Sequence, residues 1–318
     1  MRSAIPSGDA SPDTPVFGAA GFVGRTKLAQ NLLSRCLRGQ SILLYGGPKL
    51  GKTSVLLHLK WLVDQNRNAS SATLTALYLD LAAEEARDQL LSRRWADPAS
   101  ILLLDNCDSL LNNDGVGRLH EFMKNKTLAQ AILWAGARAW HDWVLEQKET
   151  ADLQPAPLAV LLPGEAQELL KSDLAPDQVN AALVAGGTHP YVLKTIAHAL
   201  QSLSGDPGKT IQTVADDLTP FFQACREDLR KPAEQALLHY LVKEARPVNP
   251  REAAKAVGHP TIKPSADVLC FLGLISRWNL NEGAVLQAKC RLSTIGILLQ
   301  GISRYQAPPP RKHRGRCA

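Results

Sequence analysis

Gly46, Gly51, Lys52 and Thr53 stand at a spacing that can hold a chain of phosphates. They lie in the run Gly46-Gly47-Pro48-Lys49-Leu50-Gly51-Lys52-Thr53-Ser54, which fits the phosphate-loop pattern G-x-x-x-x-G-K-[ST]. Glycines let backbone N–H groups curl round an anion with no Cβ in the way. A helix starting near Gly51 would aim its positive N-terminal end at the same anion. Lys52 would reach the β- and γ-phosphates, and the Thr53 hydroxyl would hold Mg2+. A plain glycine-rich turn is the alternative. The apolar run Ile42 to Tyr45 before the loop and the Leu-rich helical pattern after it favour the phosphate reading. ATP with Mg2+ is the expected ligand.

A second acid-bearing stretch is Ser100-Ile101-Leu102-Leu103-Leu104-Asp105-Asn106-Cys107-Asp108. Four apolar residues ending in Asp105 read as a buried parallel strand that delivers its acid to the C-terminal edge of a sheet. Asp105 there would bind Mg2+ directly or through water, or would merely cap the next turn. The following position usually carries the acid that polarises the attacking water, and here it is Asn106. An amide cannot take a proton, so slow hydrolysis is expected, Asp108 is the substitute base, and Asn106→Glu should raise turnover. A further strand, Ala131 to Arg138, would end at the same edge. Arg138 could there sense a γ-phosphate through charge-assisted bonds, or be an ordinary surface arginine.

These side chains need a sheet to carry them. Helix from Leu28 to Leu37, strand before Gly46, helix from Lys52 to about Val63, strand at 76–81, helix at 84–93 and strand at 100–105 alternate as in an α/β unit. A helix at Leu119 to Lys124 and a last strand at Leu158 to Leu162 complete it. The expected organisation is a disordered lead-in at 1–16, an α/β nucleotide-binding core at 17–162 and a helical lid at 163–204. A C-terminal domain at 205–303 and a flexible basic tail at 304–318 follow. The C-terminal domain suits a winged helix: helices at 232–244, 249–257 and 264–272, then a hairpin at 274–292 turning at Asn281-Glu282-Gly283. Its third helix holds Asp267 and no basic residue beyond Lys263 at its start, which favours protein docking over DNA reading.

Taken in order, Phe22-Val23-Gly24-Arg25, the phosphate loop, Leu102-Leu103-Leu104-Asp105, Gly136-Ala137-Arg138 and Gly186-Gly187-Thr188-His189-Pro190-Tyr191 resemble the signal-transduction ATPases with numerous domains (STAND). Archaeal-type and origin-recognition ATPases of the wider AAA+ group are related to these. The resemblance spans roughly residues 17–300. It implies a P-loop NTPase core with Val23 and Arg25 over the adenine. His189 and Pro190 would lie near the base or phosphates. Without the resemblance, the first turn is a helix start and the second a helix break with Pro190 opening the next helix.

The chain has 318 residues, 45% apolar and 21% charged, as in a globular protein of two or three domains. No apolar run suggests a signal peptide or a membrane span, so a cytoplasmic location without membrane contact is expected. The six cysteines (36, 107, 225, 270, 290 and 317) lack metal-ligand spacing and read as reduced, mostly buried thiols. Of the net charge of +6, five charges sit in the tail: without Arg304, Arg311, Lys312, Arg314 and Arg316 the count is 31 basic against 30 acidic residues, or +1. The tail could bind nucleic acid or an acidic partner loosely. The reading that fits best is an ATP-dependent molecular switch whose ATP form associates with partner proteins or with itself. A DNA-loading or transposition-type ATPase and a nearly inactive nucleotide-binding scaffold are the alternatives.

Overall fold

The computed structural model describes residues 11–18, 21–69, 74–92, 100–111, 129–147, 152–203, 206–244, 246–280 and 283–288. The expected helix at Leu119 to Lys124, hairpin residues 281–282 and 289–292, and the basic tail lie outside them, as do residues 1–10.

Five strands form one parallel sheet. They are β1 (Ile42–Tyr45), β2 (Thr75–Asp80), β3 (Ser100–Asp105), β4 (Ala131–Gly136) and β5 (Gln154–Pro157), in the order β2-β3-β4-β1-β5. Strands β3 and β4 are buried at every residue, which is why their sequences are continuous apolar runs rather than alternating ones. Helices α1 (Thr26–Leu37) and α2 (Lys52–Ala69) pack on one face. On the other lie α3 (Glu84–Leu91), a short 3-10 turn (Cys107–Leu111) and α4 (Arg138–Glu146). Trp134 and Trp140 are fully buried there with ring centroids 5.6 Å apart. A Cβ on Gly136 would come within 2.6 Å of Trp140, so only glycine ends β4 in this way.

Two elements differ from expectation. Helix α2 runs six residues past Val63, because Lys60 and Asp64 form an i, i+4 ion pair across the polar stretch that was expected to end it. The last strand is Gln154–Pro157 and not 158–162. Gln154 and Leu158 donate their N–H groups inward to Ser41 and Tyr45. Pro155 and Pro157 alternate with them, so the missing N–H groups fall on the free edge.

Helices α5 (Pro163–Lys171), α6 (Pro176–Gly186) and α7 (Pro190–Ser202) follow the sheet where the lid was expected. Next come α8 (Pro207–Asp217), α9 (Thr219–Glu227), α10 (Pro232–Glu244), α11 (Pro250–Val257) and α12 (Lys263–Phe271). An antiparallel hairpin of β6 (Ile275–Leu280) and β7 (Gly283–Ala288) ends the described chain, and Val248 bridges to Leu286 beside it. Asn249 caps α11 at one end and Gly258, at φ 68°, closes the other. One apolar cluster runs from Leu161 to Leu286, so the lid helices and the C-terminal helices share a single core. Among the described residues no helix is long and apolar enough to cross a membrane.

Candidate functional site

A cavity of about 450 Å³ opens at the C-terminal edge of the sheet, above β1 and β3. Pro48, Lys49, Leu50, Gly51, Lys52, Thr53 and Ser54 form its floor, and Asp105, Asn106 and Asp108 form one wall. Val23 and Arg25 stand on a second side and Pro190, Tyr191 and Lys194 of α7 on a third. Gly46 and Gly47 lie beneath the floor and are buried. A Cβ on Gly46 would sit 2.7 Å from the Leu158 carbonyl oxygen, and Gly51 has φ 91°, so both need glycine. Lys49 (φ 55°) and Asn106 (φ 53°) are the only non-glycine residues of positive φ among those described, and both line the cavity. Backbone held in this region concentrates where a ligand is handled.

Lys52 donates to the carbonyls of Gly46 and Gly47 at 2.8 Å each. Burial lowers its pKa, while Asp105, Asp108 and Asp228 oppose that shift. Asp105 is 1% exposed and its pKa is raised by burial, against bonds from the Thr53 hydroxyl, the Asn106 N–H and Tyr78. Thr53 and Asp105 thus lie together at the cavity and offer two oxygens of the kind that hold a hydrated divalent cation. Arg25 donates to the Leu50 carbonyl and, at 2.6 Å, to that of Ala159, tying the loop before α2 to the segment that follows β5. Its pKa falls to about 10 through burial, partly offset by Glu165. Gly24 permits this, since a Cβ there would lie 2.8 Å from Glu165.

Three expected residues sit otherwise than expected. Arg138 does not reach the cavity. As the first residue of α4 it turns onto Glu234 of α10, with Nη1 and Nη2 bonded to the two carboxylate oxygens at 3.0 and 2.9 Å, and also onto the Asp228 carbonyl. Asp108 lines the cavity, but its oxygens accept from the N–H groups of Ala137 (2.7 Å) and Trp140 (2.9 Å), so it holds the start of α4 and is not a free base. His189 is buried behind the loop, its ring 4.8 Å from that of Phe221, while its neighbour Pro190 does face the cavity. The Pro48 carbonyl lies beside that ring, yet neither ring nitrogen completes a well-formed hydrogen bond.

Burial, with Arg25 and Lys52 nearby, pushes the His189 pKa down to about 3 from 6.5. Above pH 6.5 the ring is neutral both folded and unfolded. Below it the unfolded chain takes up a proton that the folded chain refuses, so stability is lost as pH falls toward 3, at about 1.4 kcal/mol per pH unit. Urea midpoints between pH 6.5 and 4.5 should therefore fall less steeply in His189→Phe than in the wild type. Equal slopes would remove His189 as the cause.

Several contributors escaped the sequence reading. Tyr191 and Lys194 share a side of α7 with Pro190, a spacing that could have flagged them. The lead-in was expected to be disordered, yet Pro12 to Val16 lines the cavity. Val16 donates to the Ser54 hydroxyl at 3.1 Å and Asp13 pairs with Lys49 at 2.7 Å, the latter an exposed pair of small worth. The third contributor is a backbone carbonyl. Helix α12 ends in a Schellman turn, with Leu274 N–H on Leu269, Gly273 N–H on Cys270 and Gly273 at φ 75°. The turn presents the Phe271 carbonyl to the Gly47 N–H at 2.9 Å. A Cβ on Gly47 would lie 2.7–2.9 Å from Leu272 backbone atoms.

No protein-family model matches the chain, and no curated protein matches it. Among solved structures it is similar to the Walker-type ATPase PABY2304 of Pyrococcus abyssi. The TM-score is 0.60 at 14% identity, with 91% of this chain and 99% of that chain covered. The Aeropyrum pernix ORC1 protein in complex with DNA (TM-score 0.46, 15% identity, 89% and 94% covered) is more distant. So is the Thermotoga maritima RuvB Holliday junction branch migration motor (TM-score 0.47, 13% identity, 90% and 97% covered). The α/β fold, with its five-stranded parallel sheet, is the P-loop NTPase fold that PABY2304 has.

Proposed function

We propose that the chain is an ATP-binding switch of the STAND type, in which the C-terminal helices, read as a winged helix, dock on the phosphate loop in one state and leave it in another. One observation carries this reading. The two backbone groups of Gly47 face opposite ways: its carbonyl accepts from Lys52 and its N–H donates to Phe271. Lys52 cannot hold phosphate oxygens with the same N–H groups that now bind the loop. Drawing it onto a phosphate therefore loosens one side of the residue that anchors the C-terminal helices on the other. The residues present fit Mg2+ and ATP: Thr53 and Asp105 would hold the cation, Lys52 the phosphates, and Val23, Arg25 and Pro190 the nucleoside end. Mg2+ would neutralise charge on the phosphate oxygens. Partner proteins or a second copy would recognise the released surface. The DNA-handling alternative gains little, because α12 carries Lys263 as its only basic residue and Asp267 holds Arg277 of β6 at 2.9 Å.

Fluorescent ATP and ADP titrated against the purified protein, with molecular size measured alongside, test the reading. Binding should be tight. Hydrogen exchange at 271–274 should be faster in the ATP form than in the ADP form. Gly47→Ala should give that faster exchange without nucleotide, since its Cβ cannot coexist with the Leu272 backbone. Failure to bind either nucleotide, or identical exchange in both forms and in Gly47→Ala, would overturn it.

A further inference from the structure

Asn106 stands where an acid was expected, and the structure shows what its amide does. Its Nδ2 donates to Asp80 Oδ1 at 2.8 Å, and its N–H donates to Asp105 Oδ1 at 3.0 Å. Asp80 ends β2, directly opposite Asp105 in the β2–β3 register, and is held in turn by the Ala82 N–H at 3.0 Å. An ionised carboxylate only accepts, so it fixes which end of the amide faces it. With its nitrogen committed to Asp80, Asn106 keeps its carbonyl oxygen for the cavity that it lines.

We propose that Asp80 is a positioning residue for hydrolysis: it locks Asn106 so that the amide oxygen, and not the amide nitrogen, meets the attacking water. The inference rests on the nucleotide-binding reading above and adds how water is handled there. No side-chain base is needed. The water oxygen forms the new bond to the γ-phosphorus. The bond to the β–γ bridging oxygen breaks, and its electron pair leaves with the diphosphate. The proton of the water passes to the released phosphate. Such a reaction asks chiefly for an acceptor that orients the water. A glutamate at position 106, which the sequence alone would suggest as an improvement, meets a left-handed backbone that asparagine tolerates far better. It would also set a second carboxylate beside Asp80.

The test uses the full chain and the substitutions Asp80→Ala and Asp80→Asn. In Asp80→Ala the amide is free to turn over, and kcat should fall about tenfold, the loss of one positioned hydrogen bond. KM and fluorescent-nucleotide affinity should be unchanged. Asp80→Asn retains an accepting oxygen and should recover at least half of the lost rate. Independently of turnover, the side-chain 15N–1H signals of Asn106 should move in Asp80→Ala and stay near their wild-type positions in Asp80→Asn. An Asp80→Ala protein that binds nucleotide and keeps its kcat overturns the inference. So does a wild type that binds nucleotide with no turnover, which leaves the binding reading standing. A wild type that binds no nucleotide removes the binding reading itself, whatever the Asn106 signals report.

Discussion

Lys52→Ala is expected to weaken ATP binding by about 10²–10⁴-fold while the protein stays folded. Lys52 is the one cation in the floor of the cavity that is ringed by carboxylates, those of Asp105, Asp108 and Asp228. Removing it leaves Asp105 and Asp108, which line the cavity, to repel the phosphates uncompensated. Two charge-assisted contacts to phosphate oxygens are worth roughly 1.5–3 kcal/mol each, and each 1.4 kcal/mol is tenfold in affinity. The fold depends on Lys52 chiefly through its bonds to the part-buried Gly46 and Gly47 carbonyls, beneath the cavity floor, where water entering the space left by the side chain can take its place. Circular dichroism and a melting curve close to wild type should therefore accompany the loss of binding. A folded variant that binds ATP as before would mean that the cavity holds phosphate by some other means or not at all.

The phosphate loop and the strands around it were legible because their signals are local. Gly46 to Thr53 carries its chemistry within eight positions, and Ile101 to Leu104 is apolar because both faces of β3 are covered. The errors share a cause. The end of a strand says where a side chain starts and not where it goes. Arg138 was read as a γ-phosphate sensor or an ordinary surface arginine, but it is buried on Glu234, which lies 96 positions on, and no local pattern announces that partner. Asp108 looked like a displaced acid, whereas its oxygens are taken by the first N–H groups of a helix whose start, at Arg138, had been read as strand. The last strand was placed on Leu158 to Leu162 by apolarity, although the prolines before it occupy an edge where a missing N–H costs nothing. Asp80 could have been noticed as the acid that ends an alternating strand, yet its bond to Asn106 is a matter of register between β2 and β3. The Phe271 carbonyl had no signal at all, because every residue carries one.

Glu234→Ala should be the most destabilising single change at the junction of the sheet and the C-terminal helices, at about 3–5 kcal/mol. Glu234 is 1% exposed and the Arg138 side chain 6%, and the two meet through a pair of parallel bonds. Glu234 also accepts from the Lys231 N–H at 3.2 Å, which fixes the first turn of α10. Without it the guanidinium keeps the Asp228 carbonyl and a 3.5 Å contact to Asp142, which is 43% exposed and so a weak counter-ion. The cost is that of an uncompensated buried charge, not the net worth of the pair. Replacing both partners, as Arg138→Met with Glu234→Leu, should accordingly bring stability back to within about 1–2 kcal/mol of wild type. The pair joins α4, packed on the sheet, to α10, while the C-terminal helices retain their own apolar core with α5 to α7. The loss in Glu234→Ala should therefore appear first as undocking: faster hydrogen exchange at Gly47 and at 271–274 before the sheet strands exchange. Urea melts of the two variants and exchange at these positions decide the matter. A Glu234→Ala protein within 1 kcal/mol of wild type, or a double variant as unstable as the single one, would show that this buried pair does not hold the two parts together.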